Sequence, residues 1–175
     1  GSIDADAADK AAHFISVADS FHLPIVFLAD NPGMLPGSRS EGSGVLRSGA
    51  RMFAAQTAAT TLKLHVTLRK AFGFGSMVMS LLGFDDQVAT FAYPGATMGA
   101  MGAAALSAAT HAGEDYAEVL KRMELEASFR SAGHLGFDEL ISPEETRNAL
   151  LVTLQHGIFS RQEVAEPVSR TLIMP

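Results

Sequence analysis

Apolar and polar positions follow two rhythms along this chain, and each predicts elements. Ala11, Phe14, Ile15 and Ala18 recur at helical spacing, which predicts an amphipathic helix over residues 7–20 with Asp6 as its N-cap and that stripe facing inward. The run Pro24-Ile25-Val26-Phe27-Leu28-Ala29 is continuously apolar, the pattern of a buried parallel strand. It gives way to Asp30-Asn31-Pro32-Gly33-Met34-Leu35-Pro36-Gly37, a loop that its prolines and glycines keep out of regular structure. A second helix is predicted over 45–60, with Leu46, Ala50, Phe53 and Ala54 on its apolar side. Strict period two marks residues 62–69, where Leu62, Leu64, Val66 and Leu68 alternate with Lys63, His65, Thr67 and Arg69. That predicts a strand whose polar set, His65 included, lies in solvent.

This strand leads into Lys70-Ala71-Phe72-Gly73-Phe74-Gly75-Ser76, read as a glycine-rich turn before a helix over 77–82. A third strand is predicted over 88–92, stopped by Tyr93-Pro94-Gly95, and then a Gly- and Ala-rich helix over 96–110. Residues 114–132 carry charge on one face and Tyr116, Val119, Leu120 and Met123 on the other, again a helical pattern. Ser142-Pro143-Glu144-Glu145 combines an N-cap residue, a proline at the first helical position and an acid at the third. The helix it opens is expected to reach His156 and stop at Gly157. Strand, loop and helix in repeated succession predict an α/β layered fold.

Composition narrows the function classes. The 175 residues amount to one domain or part of a larger one, and an apolar share of 47% excludes intrinsic disorder. The absence of cysteine excludes a disulfide framework, a thiolate nucleophile and cysteine-ligated metal. A formal charge of −6 argues against a duplex-binding surface. No run of 18 apolar residues and no signal pattern occur, so the expected location is the bacterial cytoplasm or, failing that, a mitochondrial matrix.

The turn at Gly73-Phe74-Gly75 is the strongest local candidate for chemistry. A strand that hands over to a helix leaves backbone N–H groups unpaired, and these can hold an anion or a developing oxyanion without any side chain. It also reads as an ordinary tight turn, and it is no phosphate loop, since no Gly-Lys-Ser/Thr ending follows. Ser76 is either a helix cap or a nucleophile that needs a base, with His111 and His134 in candidate loop positions. His13, His22 and His65 read as solvated. No histidine pair stands at four-residue spacing, so metal binding is not expected. Arg69-Lys70 reads as an anion-facing pair or a solvated strand end, and Met98, Met101 and Leu106 as core or subunit interface.

The same turn carries a family pattern. Arg69-Lys70-Ala71-Phe72-Gly73-Phe74-Gly75 resembles the Arg-Lys-Ala-Tyr-Gly-Gly-Ala segment of carboxyltransferase (β) subunits of biotin-dependent acyl-CoA carboxylases. Asn31-Pro32-Gly33-Met34-Leu35-Pro36-Gly37 is similar to that family's Val-Pro-Gly-Phe-Leu-Pro-Gly loop. Glu41 with Gly44-Val45-Leu46-Arg47-Ser48-Gly49-Ala50-Arg51 resembles Gly-Ile-Ile-Arg-His-Gly-Ala-Lys. Ser2 to Ala12, Tyr93-Pro94, Met101-Gly102-Ala103 and Gly136 to Arg147 supply further matching pieces in family order.

The resemblance implies a ClpP/crotonase-like superhelix of strand–strand–helix units, with residues 1–175 as the second, C-terminal carboxyltransferase domain of a two-domain subunit. It implies carboxyl transfer from carboxybiotin to the α-carbon of a short- or medium-chain acyl-CoA, with a malonyl-CoA or methylmalonyl-CoA type product. Biotin would be carried by a biotin carboxylase/biotin carrier partner. The subunits would form a dimer-based homo-oligomer, hexameric in the complete enzyme, with the missing N-terminal domain holding the acyl-CoA. No side-chain acid or base is implied, only backbone donors for developing oxyanions. By position, Gly73, Phe74 and Gly75 would contact carboxybiotin, the N–H groups of Phe74 and Gly75 would form its oxyanion hole, and Met77 would lie near the acyl group. Three positions depart from the family: Phe74 replaces a Gly, Ser48 a His, and Ala104 an acidic residue. A serine hydrolase using Ser76 and a non-catalytic assembly domain are the alternative readings. The 1–175 fragment is expected to be inactive alone.

Overall fold

The computed structural model describes residues 1–81, 83, 86–102, 117, 118, 120–122, 124, 125, 137–159 and 166–168. Helix α1 (Ala5–Ser20) is capped by Asp4, whose carboxylate accepts the Ala7 N–H at 2.8 Å. The cap therefore lies two residues before the predicted Asp6, which sits in the first turn. Strand β1 (Ile25–Asn31) follows, then a short helix α2 (Ser38–Gly42) and helix α3 (Val45–Ala58). Strand β2 (Lys63–Phe72) runs directly into α4 (Gly73–Val78), and β3 (Gln87–Ala92) and β4 (Thr97–Gly99) come next. The described residues between 117 and 125 are helical, and strand β5 (Glu139–Leu140) and helix α5 (Thr146–Phe159) follow.

The strands form one parallel sheet in the order β1-β2-β3-β5. The path of β2 divides. Lys63 to Thr67 pair with β3, whereas Lys70 to Phe72 pair with β4. Helices α1, α3 and α4 cover one face, with Ile15, Met52 and Val78 clustered with Ile25 and Phe27 of β1. Helix α5 covers the other, with Leu150 and Leu154 against Leu64, Val66 and Phe91. This sheet between helical layers is the expected α/β architecture.

Several local expectations fail for one reason, the direction of packing. In α1 the buried residues are Ala8, Ala12, Ile15, Ala18 and Asp19, while Phe14 is 65% exposed. Small alanines let α1 approach α3 closely, and an Asp9–Arg51 ion pair at 2.6 Å ties the two. In α3 the core face is Val45, Ser48, Gly49, Met52, Ala55 and Gln56, so Leu46 and Ala50 point outward. Strand β1 buries alternate residues only: Leu28, on its open face, is 52% exposed.

The predicted helix over 96–110 begins instead as strand β4, and 103–110 lie outside the described residues. Helix α5 starts at Thr146, three residues later than an N-cap at Ser142 predicts; residues 143–145 form a turn, with the Glu145 carboxylate accepting the Ser142 N–H at 2.8 Å. That bond holds the Glu145 carboxyl below its ordinary pKa. Gly157 does not end the helix. A Cβ there would stand 3.1 Å from Leu62 and 3.3 Å from Val88, so this glycine lets α5 lie close to the sheet.

Candidate functional site: the first turn of α4

No loop intervenes between β2 and α4. Gly73, with φ +58°, is the point where the extended chain turns into the helix, and a Cβ on it would stand 3.0 Å from the Ala100 carbonyl. The left-handed backbone explains a glycine here. Phe74, the departure from the family's glycine, has no positive φ and sits inside the helix. Its ring meets Phe53 at 5.8 Å between centroids, tilted by 59°. It also rests on Gly49 of α3, where an added Cβ would stand 3.0 Å from Phe74 and 2.8 Å from the Met34 methyl.

Gly75 is buried against the end of β1. A Cβ on it would lie 2.6 Å from the Asn31 side-chain oxygen and 2.7 Å from the Gly33 Cα. The Asn31 side-chain oxygen accepts the Gly33 N–H at 3.2 Å. The N-terminal end of α4 has no side-chain cap, and among the described residues nothing accepts from the N–H groups of Phe74 and Gly75. Those donors carry the partial positive charge of a helix start.

The C-terminal end of α4 is held quite differently. Leu81 N–H reaches the Ser76 carbonyl and Ser80 N–H the Met77 carbonyl, both at 3.1 Å. This is a Schellman pattern, with the C′ position filled by Ser80 at φ +62° rather than by glycine. The Ser80 hydroxyl accepts from the Gln56 amide at 2.9 Å and donates to the Gln87 side-chain oxygen at 2.6 Å. The Gln87 amide donates to the Ser80 carbonyl at 2.9 Å. His65 Nδ1 donates to the Met79 carbonyl at 2.6 Å, and Nε2 accepts from the Thr67 hydroxyl at 2.7 Å. A carbonyl can only accept, which fixes the imidazole tautomer.

His65 is therefore no solvated residue. Strand β2 is central, and its polar set faces the C-terminal ends of two helices. Lys63 donates to the Gln56 and Ala59 carbonyls of α3 at 2.9 and 3.1 Å, and His65 does the same for α4. Burial pushes the His65 imidazole down to about 4, against the opposing pull of the Met79 carbonyl. Alternation alone could not distinguish a wet face from one of helix caps. The available signal is that α3 has no basic residue in its last turn and no glycine after it.

The remaining candidates fall as follows. Ser76 is buried and its hydroxyl donates back to the Gly73 carbonyl at 2.7 Å, so it is neither the helix cap nor paired with a base. Met77 is half-buried, one residue beyond it. Arg69 pairs bidentately with Asp30 across β1 and β2, at 3.2 and 3.1 Å. His22 meets the Glu166 carbonyl at 2.8 Å, so it is not simply solvated, whereas His13 is exposed. Ser48 is buried in α3, and Met101 is 45% exposed. Ala104, Leu106, His111 and His134 lie outside the described residues.

Comparison with known proteins adds family and fold. Residues 1–165 match the family described as "Carboxyl transferase domain". The chain is 36% identical over 185 residues to the methylmalonyl-CoA carboxyltransferase 12S subunit of Propionibacterium freudenreichii subsp. shermanii, across 93% of this chain and 33% of that one. It is 36% identical over 161 residues to the propionyl-CoA carboxylase beta chain of Saccharopolyspora erythraea, across 84% and 30% respectively. The crystal structure of a transcarboxylase 12S hexamer, with methylmalonyl-CoA and methylmalonic acid bound, matches with a TM-score of 0.83 at 33% identity. That alignment covers 99% of this chain and 34% of the other. This chain thus spans about a third of the length of these relatives, and its layered sheet is the crotonase-like fold of carboxyltransferases. By matched residues, shared sequence and shared fold, the chain belongs to the carboxyl transferase domain family.

Proposed function

We propose that this chain is the biotin-facing half of an acyl-CoA carboxyltransferase in a biotin-dependent enzyme of the methylmalonyl-CoA/propionyl-CoA type. The observation that carries the reading is the first turn of α4, where the N–H groups of Phe74 and Gly75 have no acceptor among the described residues. Carboxybiotin, when bound, supplies the carboxyl group and an oxygen on which negative charge grows. Backbone donors suit such a group, because they favour the charge as it develops and ask for no proton of their own. A right-handed helical Phe74 keeps both donors in one turn. Gly73 turns the chain into that helix, and the half-buried Met77, one turn further on, is assigned to the acyl group. The acyl-CoA itself is assigned to a companion domain, and the biotin to a carrier subunit, in an assembly built from dimers.

Two measurements test this. Free biotin titrated into the ¹⁵N-labelled chain should shift the Phe74 and Gly75 amide resonances ahead of all others. Combined with the acyl-CoA-binding half, the chain should move the carboxyl group of methylmalonyl-CoA to free biotin, giving propionyl-CoA and carboxybiotin. Gly75→Pro removes one donor N–H and should cost about 10²-fold or more in rate. Full activity in Gly75→Pro would sink the reading, as would biotin shifts confined to another surface.

A further inference from the structure

Helix α4 has six residues, which at 1.5 Å per residue is about 9 Å. A helix so short does not hold itself in water, and its direction must come from its surroundings. Its first turn is held by packing alone: the Phe74 ring lies on Phe53 and Gly49, Gly75 rests on the bare backbone of Gly33, and no side chain caps the helix. The opposite end receives side-chain bonds from three separate elements. His65 of β2 holds Met79, Gln56 of α3 holds the Ser80 hydroxyl, and Gln87 of β3 holds Ser80 through both its hydroxyl and its carbonyl.

Ser80 is the mark of that restraint. A non-glycine residue at φ +62° is strained, and such a conformation persists only where its surroundings over-determine it. Gln56, His65 and Ser80 are all fully buried, so water does not compete for these bonds. His65 is the part of the clamp that grips the last carbonyl of the helix turn itself, and Thr67 keeps its ring from rotating.

We propose that His65 is a positioning residue for the donor turn: by holding the Met79 carbonyl, alongside the Gln56–Ser80–Gln87 bonds, it fixes α4 at its far end and sets where the Phe74 and Gly75 N–H groups stand. The proposal rests on reading those groups as the donors to biotin. His65 touches no substrate; it acts through the helix.

Three variants test it. In His65→Asn the side-chain amide can occupy the place of Nδ1–H and still reach Met79. His65→Gln puts its amide where Nε2 was, and His65→Phe keeps the ring shape without either nitrogen. In the ligand-free ¹⁵N-labelled chain, the Gln and Phe variants should displace the Phe74 and Gly75 amide resonances and speed hydrogen exchange over residues 77–81. The Asn variant should stay near wild type. In the reconstituted transfer assay the Gln and Phe variants should lose about 10- to 100-fold in kcat, with KM for biotin unchanged within about twofold.

Unmoved Phe74 and Gly75 resonances in His65→Phe would overturn the proposal, as would an Asn variant no better than Gln. If His65→Phe does not fold, Thr67→Val replaces it. That variant removes only the second bond and should shift the same resonances by less, while no shift overturns the proposal. A wild-type chain that neither transfers carboxyl nor shifts with biotin would refute the functional reading instead, and the ligand-free resonances would still decide the positioning role.

Discussion

At the scale of single residues, His65 and Gly75 make the sharpest demands. The His65 imidazole titrates at about 4 in the fold, against about 6.5 in an unfolded chain. Between those values the unfolded chain binds the extra proton, so this group's contribution is complete above pH 6.5 and is lost as pH falls toward 4. From pH 7 to pH 5 that amounts to about 2 kcal/mol. Urea unfolding at pH 7, 6 and 5 should show this loss in the wild type, and His65→Asn should remove that share of the slope. Gly75 is constrained by space. An alanine there would press its Cβ to 2.6 Å from Asn31 and 2.7 Å from Gly33, and overpacking of this kind costs about 1–3 kcal/mol. A Gly75→Ala variant with an unchanged denaturation midpoint would show that the β1 loop gives way freely.

At the scale of elements, β2 serves as a source of helix caps. Lys63→Met would leave the Gln56 and Ala59 carbonyls at the end of α3 without that donor, a loss expected at about 1–3 kcal/mol in urea unfolding. Ser80→Gly sets two effects against each other. Glycine suits φ +62° better by about 1 kcal/mol, but the buried Gln56 amide and the half-buried Gln87 amide lose the hydroxyl, at about 1–3 kcal/mol. The net expected result is a lower melting temperature, and a rise would mean that the amides contribute little.

The sequence was most legible where one period dominated, as in β2, and where turn residues stop an apolar run, as Tyr93-Pro94-Gly95 stop β3. It was least legible where polar residues face inward. Lys63, His65 and Thr67 alternate with leucine and valine as a wet face would, and only the helix ends lying over them make that face dry. Nor could the sequence reveal Phe14 and Leu46 turned outward, because that depends on alanines and Gly49 drawing the helices together. The glycines of the donor turn were legible as a site. Their division of labour was not, with Gly73 needed for its backbone angle and Gly75 for close approach.

At the scale of the whole molecule, the sheet has an unequal interior. Strand β2 is flanked on both edges and covered on both faces, whereas β4 and β5 are short and partly exposed. Amides of residues 64–67 should therefore exchange only through global unfolding, and those of β4 and β5 much sooner. Hydrogen exchange followed by mass spectrometry checks this, and early exchange in 64–67 would contradict the layered core. The divided path of β2 also has a use. Its first half joins the main sheet, and its end leaves β3 for β4 just before Gly73, so the donor turn stands at the rim of the sheet while its anchors lie in the centre.

Those anchors are all neutral. The His65, Thr67, Gln56, Ser80 and Gln87 bonds carry no net charge near pH 7, whereas Asp30–Arg69 and Asp9–Arg51 are ionic and reach solvent. Added salt shortens the reach of exposed charges from about 10 Å at 0.1 M to about 3 Å at 1 M. The surface ties should loosen over that range while the Phe74 and Gly75 resonances hold still, giving the chain a donor turn that keeps its geometry from dilute buffer to brine.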